Sequence, residues 1–421
     1  MGGGTGLLTN PTRQLQANHT SQHPMKLRGF GLCLVGALMA GWLSGGVEPY
    51  QRCICIPPEL GPNDSLPGLY PEEAIATQSD GLSPSPQFVS FQEGIRPSSA
   101  AHVPELATYL DQVQIGEPIW YRHLAVYPLF LERGVHLEGR WLTLDEAMRR
   151  GVLVVTEKDG GSVPVVWVEN RSRDEYVFIM RGEILSGGKQ TRTVRQDVIL
   201  APGQRVELDV FCVERGRWHG EEKFKPSYQM APLAVKKRIA QGEGQQSIWE
   251  SVRGLAGALQ AATPSEDLAK ALDAPHVRQD LDKVRKEIVP RIPARTMGFL
   301  FLQGRRPVGA DMFGDAQIAR ELFPKLLDAY AVDCILLHKD IPGAERAGAD
   351  REAIEFFKRI VRAGSQRART PGSGAGIRTD ALGLVGGGVS FGGTLVHYGV
   401  YVRHEPIVPL PGPKPMEGFR E

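Results

Sequence analysis

Short apolar runs with strand character fill the chain from about residue 117 to residue 220. These runs are rich in β-branched and aromatic residues, and Gly, Asn, Asp and Pro separate them. Segments of this kind are typical of short strands, and their close spacing predicts an antiparallel sandwich or a partial barrel. The predicted strands are 123–131, 152–156, 163–168, 176–180, 197–200 and 206–213.

Apolar residues at helical spacing occur on both sides of these runs and between them. A short amphipathic helix is predicted at 103–113. A second helix is predicted to begin after Thr143, where Glu146 completes a capping box, and to end at Gly151. From 224 to 290 the pattern predicts helix, with starts at Ser247 and Thr263 and a third helix at 276–289.

Residues 295–408 mix the two patterns. Buried strands are predicted at 297–302 and 332–337, a closing strand at 394–402, and helices at 317–328 and 350–362, the second capped by Asp350. The predicted fold class is therefore α+β: an antiparallel β-sandwich-like region at 102–223, a helical segment at 224–294 and a mixed α/β region at 295–408. A loose tail follows at 409–421.

The N-terminal pattern predicts export to the periplasm or the extracellular space. Met25, Lys26 and Arg28 precede an apolar run at 30–43 and small residues at 44–46, which is the pattern of a secretory signal peptide. Met1 and Met25 are both open as the start of the chain. The alternative is an uncleaved membrane anchor, although the run is shorter than the roughly 20 residues that span a bilayer. A proline-rich tether follows at 47–101.

Export would leave four cysteines in the mature chain, and their pairing stays open among three possibilities. Cys212 and Cys334 lie in apolar patterns and are predicted to be core thiols. Cys53 and Cys55 are too close for the usual zinc spacing, so no metal site is predicted. His397 and His404 are seven residues apart, a spacing that places them on opposite faces of a strand.

Composition and motifs exclude several function classes. Lys plus Arg number 49 and Asp plus Glu number 48, which argues against a nucleic-acid binder. Gln190 follows Lys189 where a phosphate loop requires Ser or Thr. Residues 388–392 match G-x-S-x-G, but β-type residues follow Ser390 where a nucleophile elbow needs a helix, so a glycine-rich hairpin is predicted. No cofactor is predicted, and no stable membrane insertion beyond the N-terminal segment.

The stretch 180–220 combines charge, glycine and an aromatic side chain more densely than the rest of the predicted folded chain. Basic groups on a glycine-rich turn, with Arg and Trp after the next long strand, are suited to hold an anionic or planar ligand. The candidate ligand-binding residues are Lys189, Gln190, Arg192, Arg195, Arg217 and Trp218. The candidate acid/base residues are Glu183, Glu214 and Asp311. An internal ion-pair network without any ligand is an equally weighted alternative.

Two sequence blocks, 182–192 (GEILSGGKQTR) and 212–218 (CVERGRW), resemble the signature of the ARG and rhodanese-phosphatase-superfamily-associated protein domain, a bacterial family. The resemblance extends to 127–129, 142–147, 308–314 and 324–331, and would cover about 118–405. It implies no established activity. The favoured hypothesis is a binding or scaffold module that holds an anionic small molecule or the acidic segment of a protein partner. The alternative is a hydrolase or transferase with Glu183 or Glu214 as acid/base.

Overall fold

The computed structural model describes residues 102–338 and 346–403. The predicted signal segment, the tether, Cys53, Cys55, His404 and the C-terminal tail therefore lie outside the described residues. Within the described residues the α-helices are Pro104–Leu110 (α1), Leu144–Arg149 (α2), Leu233–Gln241 (α3), Gln245–Ala258 (α4), Leu268–Leu272 (α5), Pro275–Ile288 (α6), Ala316–Ala331 (α7) and Ala349–Ala363 (α8).

The strands alternate with these helices and dominate the first half of the described chain. In chain order they are Val113–Ile115 (β1), Ile119–Tyr121 (β2), Leu124–Leu131 (β3), Arg140–Thr143 (β4), Leu153–Glu157 (β5), Val165–Asn170 (β6), Glu175–Ile179 (β7), Glu183–Gly187 (β8), Arg192–Val194 (β9), Val198–Leu200 (β10), Arg205–Cys212 (β11), Phe224–Met230 (β12), Gly298–Gln303 (β13), Arg306–Phe313 (β14), Gln366–Ala368 (β15), Ala375–Ala381 (β16), Leu384–Phe391 (β17) and Thr394–Val402 (β18).

The largest sheet combines strands from both ends of the described chain. Its order is β1-β3-β13-β14-β18-β17-β16-β15, with β2 paired to β3, and its pairs are antiparallel. Side chains on β13 alternate between two cores: Phe299 and Phe301 face one, and Leu300 faces the other. Helices α1 and α8 contribute to the core on the Leu300 side, while α3, α4, α6 and α7 contribute to the core on the phenylalanine side.

Six further strands form a small barrel in the order β12-β8-β9-β11-β6-β5. A bridge between Thr156 and Lys223 joins the two edge strands, so the sheet closes on itself. A core of mainly aliphatic side chains fills this region. A three-stranded sheet, β10-β7-β4, contributes to the same core, and its β4–β7 pair is parallel. The α+β class and the closely spaced strands predicted from the sequence are confirmed.

Several predicted elements are wrong in detail. Residues 332–336 continue α7 as a π-helical segment instead of a strand, because a short apolar run has the same pattern in a buried helix as in a strand. Residues 224–230 form strand β12 instead of helix. The last described strand, β18, has the predicted bounds, and residues 388–392 belong to the predicted hairpin.

Three predicted helix caps differ from the structure in whole or in part. Thr143 is the N-cap residue of α2, as predicted, but its hydroxyl donates to Glu321 at 3.2 Å and makes no capping bond. Helix α5 begins after Asp267, whose carboxylate accepts from two backbone N–H groups, and not at Thr263. Gly348 occupies the cap position of α8, so Asp350 lies inside the first turn of this helix. Its carboxylate accepts a hydrogen bond from Tyr127 at 2.8 Å. In two of the three cases, a side chain distant in sequence engages the predicted capping group.

Candidate functional site

Three connections meet at one end of the barrel: β5 to β6, β8 to β9, and β11 to β12. Antiparallel neighbours place the end of one strand beside the start of the next, so these turns share one end. They bring together most of the charged side chains predicted for a site. We call this end the barrel mouth. Its residues are Glu157, Lys189, Gln190, Arg192, Cys212, Glu214, Arg217, Trp218 and Trp249.

Arg192 lies at the centre of the barrel mouth, and its side chain is fully buried. Its Nη1 donates to Gln190 Oε1 at 2.8 Å, and its Nη2 lies 4.0 Å from Glu157 Oε1. Among the residues that the structure describes, Nε and Nη2 have no hydrogen-bond partner. Burial lowers the pKa of Arg192, and the nearby Cys212 and Glu157 oppose this effect. A buried guanidinium therefore keeps two donors available.

Two further buried polar atoms of the barrel mouth lack a hydrogen bond of normal geometry. Glu157 Oε2 has no donor within the described chain, whereas Oε1 accepts the backbone N–H of Lys189 at 2.6 Å. Trp249 on α4 interacts with the thiol of Cys212, which pairs directly opposite Arg192, but its buried Nε1 makes no hydrogen bond of normal geometry. Buried polar groups in proteins are nearly always hydrogen-bonded. Unpartnered donors and an unpartnered acceptor at one place therefore leave hydrogen-bonding capacity unused at the barrel mouth.

Glu214 is fully engaged inside the protein. Arg217 Nε donates to both of its oxygens at 2.9 Å, and the backbone N–H of Thr191 donates at 3.0 Å. Burial acts to raise the pKa of Glu214, but Arg217 and Thr191 outweigh it and hold this pKa at about 2. Arg217 Nη1 also donates to the carbonyl of Gly188 at 2.8 Å. The pair thus fastens the β11–β12 connection to the β8–β9 turn.

Trp218 covers the barrel mouth on the solvent side. Its side chain is 48% exposed. Its ring centroid lies 5.8 Å from Arg192 Cζ and 5.7 Å from Lys189 Nζ, within cation–π range. Lys189 Nζ donates to the carbonyl of Gly160. Gly161 has φ +126°, and a Cβ there would lie 2.9 Å from the Lys189 side chain and 3.2 Å from Trp218, so only glycine fits this turn.

Three of the predicted site residues lie elsewhere. Arg195 is exposed, and its guanidinium lies 4.7 Å from the ring of Phe211. Glu183 is fully buried, pairs with Lys325 and accepts the N–H of Met180 at 2.6 Å. Burial raises the pKa of Glu183, while Lys325 acts to lower it. The structure does not bring these two residues, or Asp311, to the barrel mouth.

Asp311 belongs to a second cluster of buried charges, between the largest sheet and helices α3 and α7. Its oxygens accept from Tyr330 at 2.7 Å and from Tyr401 at 3.3 Å, and they lie near Lys236 Nζ at 3.5 Å. His397 joins Asp311, at 3.3 Å, to Asp197, at 2.6 Å. We call these residues, with Arg181, the buried network: Arg181, Asp197, Lys236, Asp311, Tyr330, His397 and Tyr401.

Two residues of the barrel mouth, Glu157 and Trp249, were not among the predicted site residues. Leu153 and Val155 alternate as buried residues of β5, so the pattern predicts another apolar side chain two residues later. Glu157 occupies that inward position instead. A charged residue at a position that the alternation predicts to be buried can be recognised from the sequence pattern alone. Trp249 comes from α4, and nothing in the local sequence predicts which sheet end that helix approaches.

The described residues contain no group of three or more His, Cys, Asp or Glu side chains arranged to hold a metal ion. Cys212 and Cys334 are buried free thiols, as predicted from their apolar surroundings. No helix within the described ranges has the length and apolar character needed to cross a membrane.

Comparison with known families identifies the chain. The model of the ARG and Rhodanese-Phosphatase-superfamily-associated Protein domain matches residues 112–401. This range covers more than half of the 421 residues, so the chain belongs to this family, as its sequence blocks predicted. The matched range includes the whole barrel mouth and the whole buried network. Neither the curated proteins nor the solved structures gave a match.

Proposed function

We propose that this family member is a binding module that holds a small anion at the barrel mouth. One observation carries the proposal: Arg192 is fully buried and keeps Nε and Nη2 free of hydrogen-bond partners within the described chain. A planar guanidinium with two adjacent donors matches the oxygens of a carboxylate, sulfate or phosphate group. The ends of small barrels are also common places for ligands.

The charges around Arg192 support an anion over a cation as the ligand. The second arginine, Arg217, lies close enough to affect the pKa of Arg192. The carboxylate of Glu214 is already neutralised by Arg217. Lys189 adds a further positive charge on the solvent side. Among the barrel-mouth residues, Lys189, Arg192 and Arg217 outnumber Glu157 and Glu214 by one positive charge, which favours association with an anion.

Binding is better supported than acid/base catalysis. Glu183 and Glu214 are the acid/base candidates, and each is fully buried and paired with a cation, Lys325 and Arg217 respectively. A catalytic acid or base must reach the reacting proton of its substrate. Both carboxylates are occupied by structural partners, which favours the binding module. Export of the chain stays a prediction, and the N-terminal residue of the purified mature protein checks it.

Titration calorimetry with the full chain tests the proposal. The probes are sodium acetate, sulfate and inorganic phosphate at constant ionic strength, because salt screens exposed charges. Arg192→Met should weaken binding by about 10- to 100-fold, since a hydrogen bond to a charged group contributes about 1.5–3 kcal/mol. Arg195→Met is the matched control: it removes an exposed arginine three residues away and should bind like the wild type.

Equal affinities of Arg192→Met and the wild type would overturn the proposal. The same holds if the two arginine variants lose affinity alike, because the effect then reflects overall charge and not the barrel mouth. Melting curves of both variants establish that the compared proteins are folded.

A further inference from the structure

We infer that the anion carries its own hydrogen-bond donor on an atom next to the charged group, as α-hydroxy and α-amino carboxylates do. This inference rests on the proposed anion site and names its ligand class. The observation behind it is the unpartnered acceptor Glu157 Oε2, which lies in the same barrel mouth as the unpartnered donors of Arg192.

A bare anion satisfies only half of this site. Its oxygens can accept from Arg192 Nη2, but that nitrogen lies 4.0 Å from Glu157 Oε1. The negative charge of the ligand would then lie beside the Glu157 carboxylate, whose side chain is 1% exposed. Like charges at such a distance repel strongly where water is excluded. A ligand that also donates to Glu157 offsets this repulsion with a hydrogen bond.

The orientation of Glu157 is fixed in a way that suits this role. Its Oε1 is held by the backbone N–H of Lys189 at 2.6 Å, which leaves Oε2 as the free oxygen. Arg192 Nη2 lies 4.0 Å from Oε1 of the same carboxylate, so a ligand with its acceptor and donor on neighbouring atoms is of a size to bond both side chains at about 2.9 Å. A carboxylate with a hydroxyl or ammonium group on the adjacent carbon meets this condition.

The ligand must pass Trp218 to reach the two side chains. Residues 218–223 of the β11–β12 connection are all exposed, whereas Arg192 beneath the indole ring is fully buried. Displacement of the half-exposed ring therefore opens the site without disturbing the strands. A ligand bound at Arg192 replaces the cation–π contact of Trp218, so the tryptophan emission should change on binding.

The experiment compares carboxylates that differ in the group on the adjacent carbon: acetate has no donor, glycolate has a neutral hydroxyl, and glycine has a charged ammonium group. Acetate, glycolate and glycine are titrated into the full chain, and the affinity is followed by calorimetry and by tryptophan emission. We expect glycolate or glycine to bind at least about tenfold more tightly than acetate, the factor that one added hydrogen bond to a charged group provides. Sulfate and singly protonated phosphate form a second pair, which tells whether a donor on an oxyanion serves equally well.

Glu157→Gln identifies the acceptor. The amide keeps the shape and can still accept from Lys189, but it offers an NH₂ donor to the ligand. The preference for glycolate over acetate should therefore disappear or reverse in this variant. Glu207→Gln is the matched control, because Glu207 is 46% exposed and pairs with Lys158 on the outside of the barrel. It should keep the preference of the wild type.

The outcomes separate the inference from the proposed function. Equal affinities for acetate, glycolate and glycine would overturn the inference and leave the anion site intact. An unchanged preference in Glu157→Gln would overturn the assigned acceptor and with it the inference. If the wild type binds none of the anions, both the proposed function and the inference are wrong, and a permanently bound water between Arg192 and Glu157 accounts for the free atoms.

Discussion

The barrel mouth and the buried network both concentrate charged side chains away from water, yet they differ in how completely these side chains are paired. In the buried network, both oxygens of Asp311 accept hydrogen bonds, and His397 contacts a carboxylate with each ring nitrogen. In the barrel mouth, Arg192 keeps two free nitrogens and Glu157 one free oxygen within the described chain.

The difference separates a structural cluster from a candidate binding site. A polar group that is buried and unpaired costs about 1–3 kcal/mol of stability, so folds rarely keep several of them together. The buried network has one such atom, Nε of Arg181. The barrel mouth has donors and an acceptor unpaired side by side, beneath a half-exposed tryptophan. Charge density alone therefore does not distinguish the two clusters, whereas the number of unpaired buried atoms does.

Removal of Asp311 should have the largest effect on stability. Asp311→Ala leaves Lys236 and His397 buried without their shared carboxylate. Breaking a buried ion pair on one side costs about 3–5 kcal/mol, and urea unfolding at neutral pH should show a loss of this size. Asp380→Ala, which removes an exposed carboxylate paired with Arg403, should cost at most about 1 kcal/mol. A similar loss in both variants would contradict the structural role of the network.

The titration of His397 should contribute to the pH dependence of the free energy of unfolding. Its neighbours are Asp197 and Asp311, with Lys236 on α3, Arg181 before β8, Tyr330 on α7 and Tyr401 on β18 also in the network. Burial acts to lower the pKa of His397, but the two carboxylates outweigh it and raise this pKa above its usual value. Its contribution is thus complete below the unfolded pKa of about 6.5 and is lost as the pH rises through the folded pKa.

Urea unfolding between pH 5 and 9 measures this contribution. The free energy of unfolding of the wild type, relative to His397→Gln, should fall with rising pH by up to about 1.4 kcal/mol per pH unit above pH 6.5. The comparison between the two proteins largely removes the titration of Lys236, whose pKa is lowered by burial. Parallel curves for the two proteins would mean that the pKa of His397 is the same in the folded and unfolded states, which would contradict the raised pKa.

The barrel mouth was predictable from the sequence to a larger extent than the buried network. Lys189, Gln190 and Arg192 lie within four residues of each other, and Glu214 to Trp218 follow the strand that pairs with theirs. Local spacing and one hairpin suffice to bring such residues together. Asp311 and His397 are 86 residues apart, and Asp197 and His397 are 200 apart. Contacts of that range depend on the strand order, which periodicity does not determine.

The same limit explains the wrong expectation for residues 332–337. Val332–Leu336 is an apolar run that fits a buried strand as well as a buried helix. This segment is helical because α7 continues directly into it, and the continued helix buries the side chains of the segment against the same core as α7. Likewise, Glu183 was grouped with Lys189 on sequence distance, but it lies at the opposite end of β8 and pairs with Lys325 instead.

The smallest predicted effect concerns Asp267, which borders the barrel mouth. Its Oδ1 accepts the N–H of Ala269 at 2.9 Å and so caps α5, while burial and then Glu214 raise its pKa. Asp267→Asn keeps the capping oxygen and removes a negative charge beside Glu214. We expect it to raise the free energy of unfolding by about 0.5 kcal/mol at pH 7, whereas Asp267→Ala should lose about 1 kcal/mol with the cap.

The pH dependence of the change in unfolding free energy distinguishes the effect of the Asp267 charge from that of its capping hydrogen bond. A raised folded pKa means that the charged form of Asp267 is disfavoured in the native protein, so the penalty is present at neutral pH and fades as the pH falls through that pKa. The gain in Asp267→Asn should therefore shrink towards acidic pH, while the loss in Asp267→Ala should persist. If Asp267→Asn is as unstable as Asp267→Ala at pH 7, the charge itself is required, and the contact of Asp267 with Lys270 at 3.5 Å is the pair that requires it.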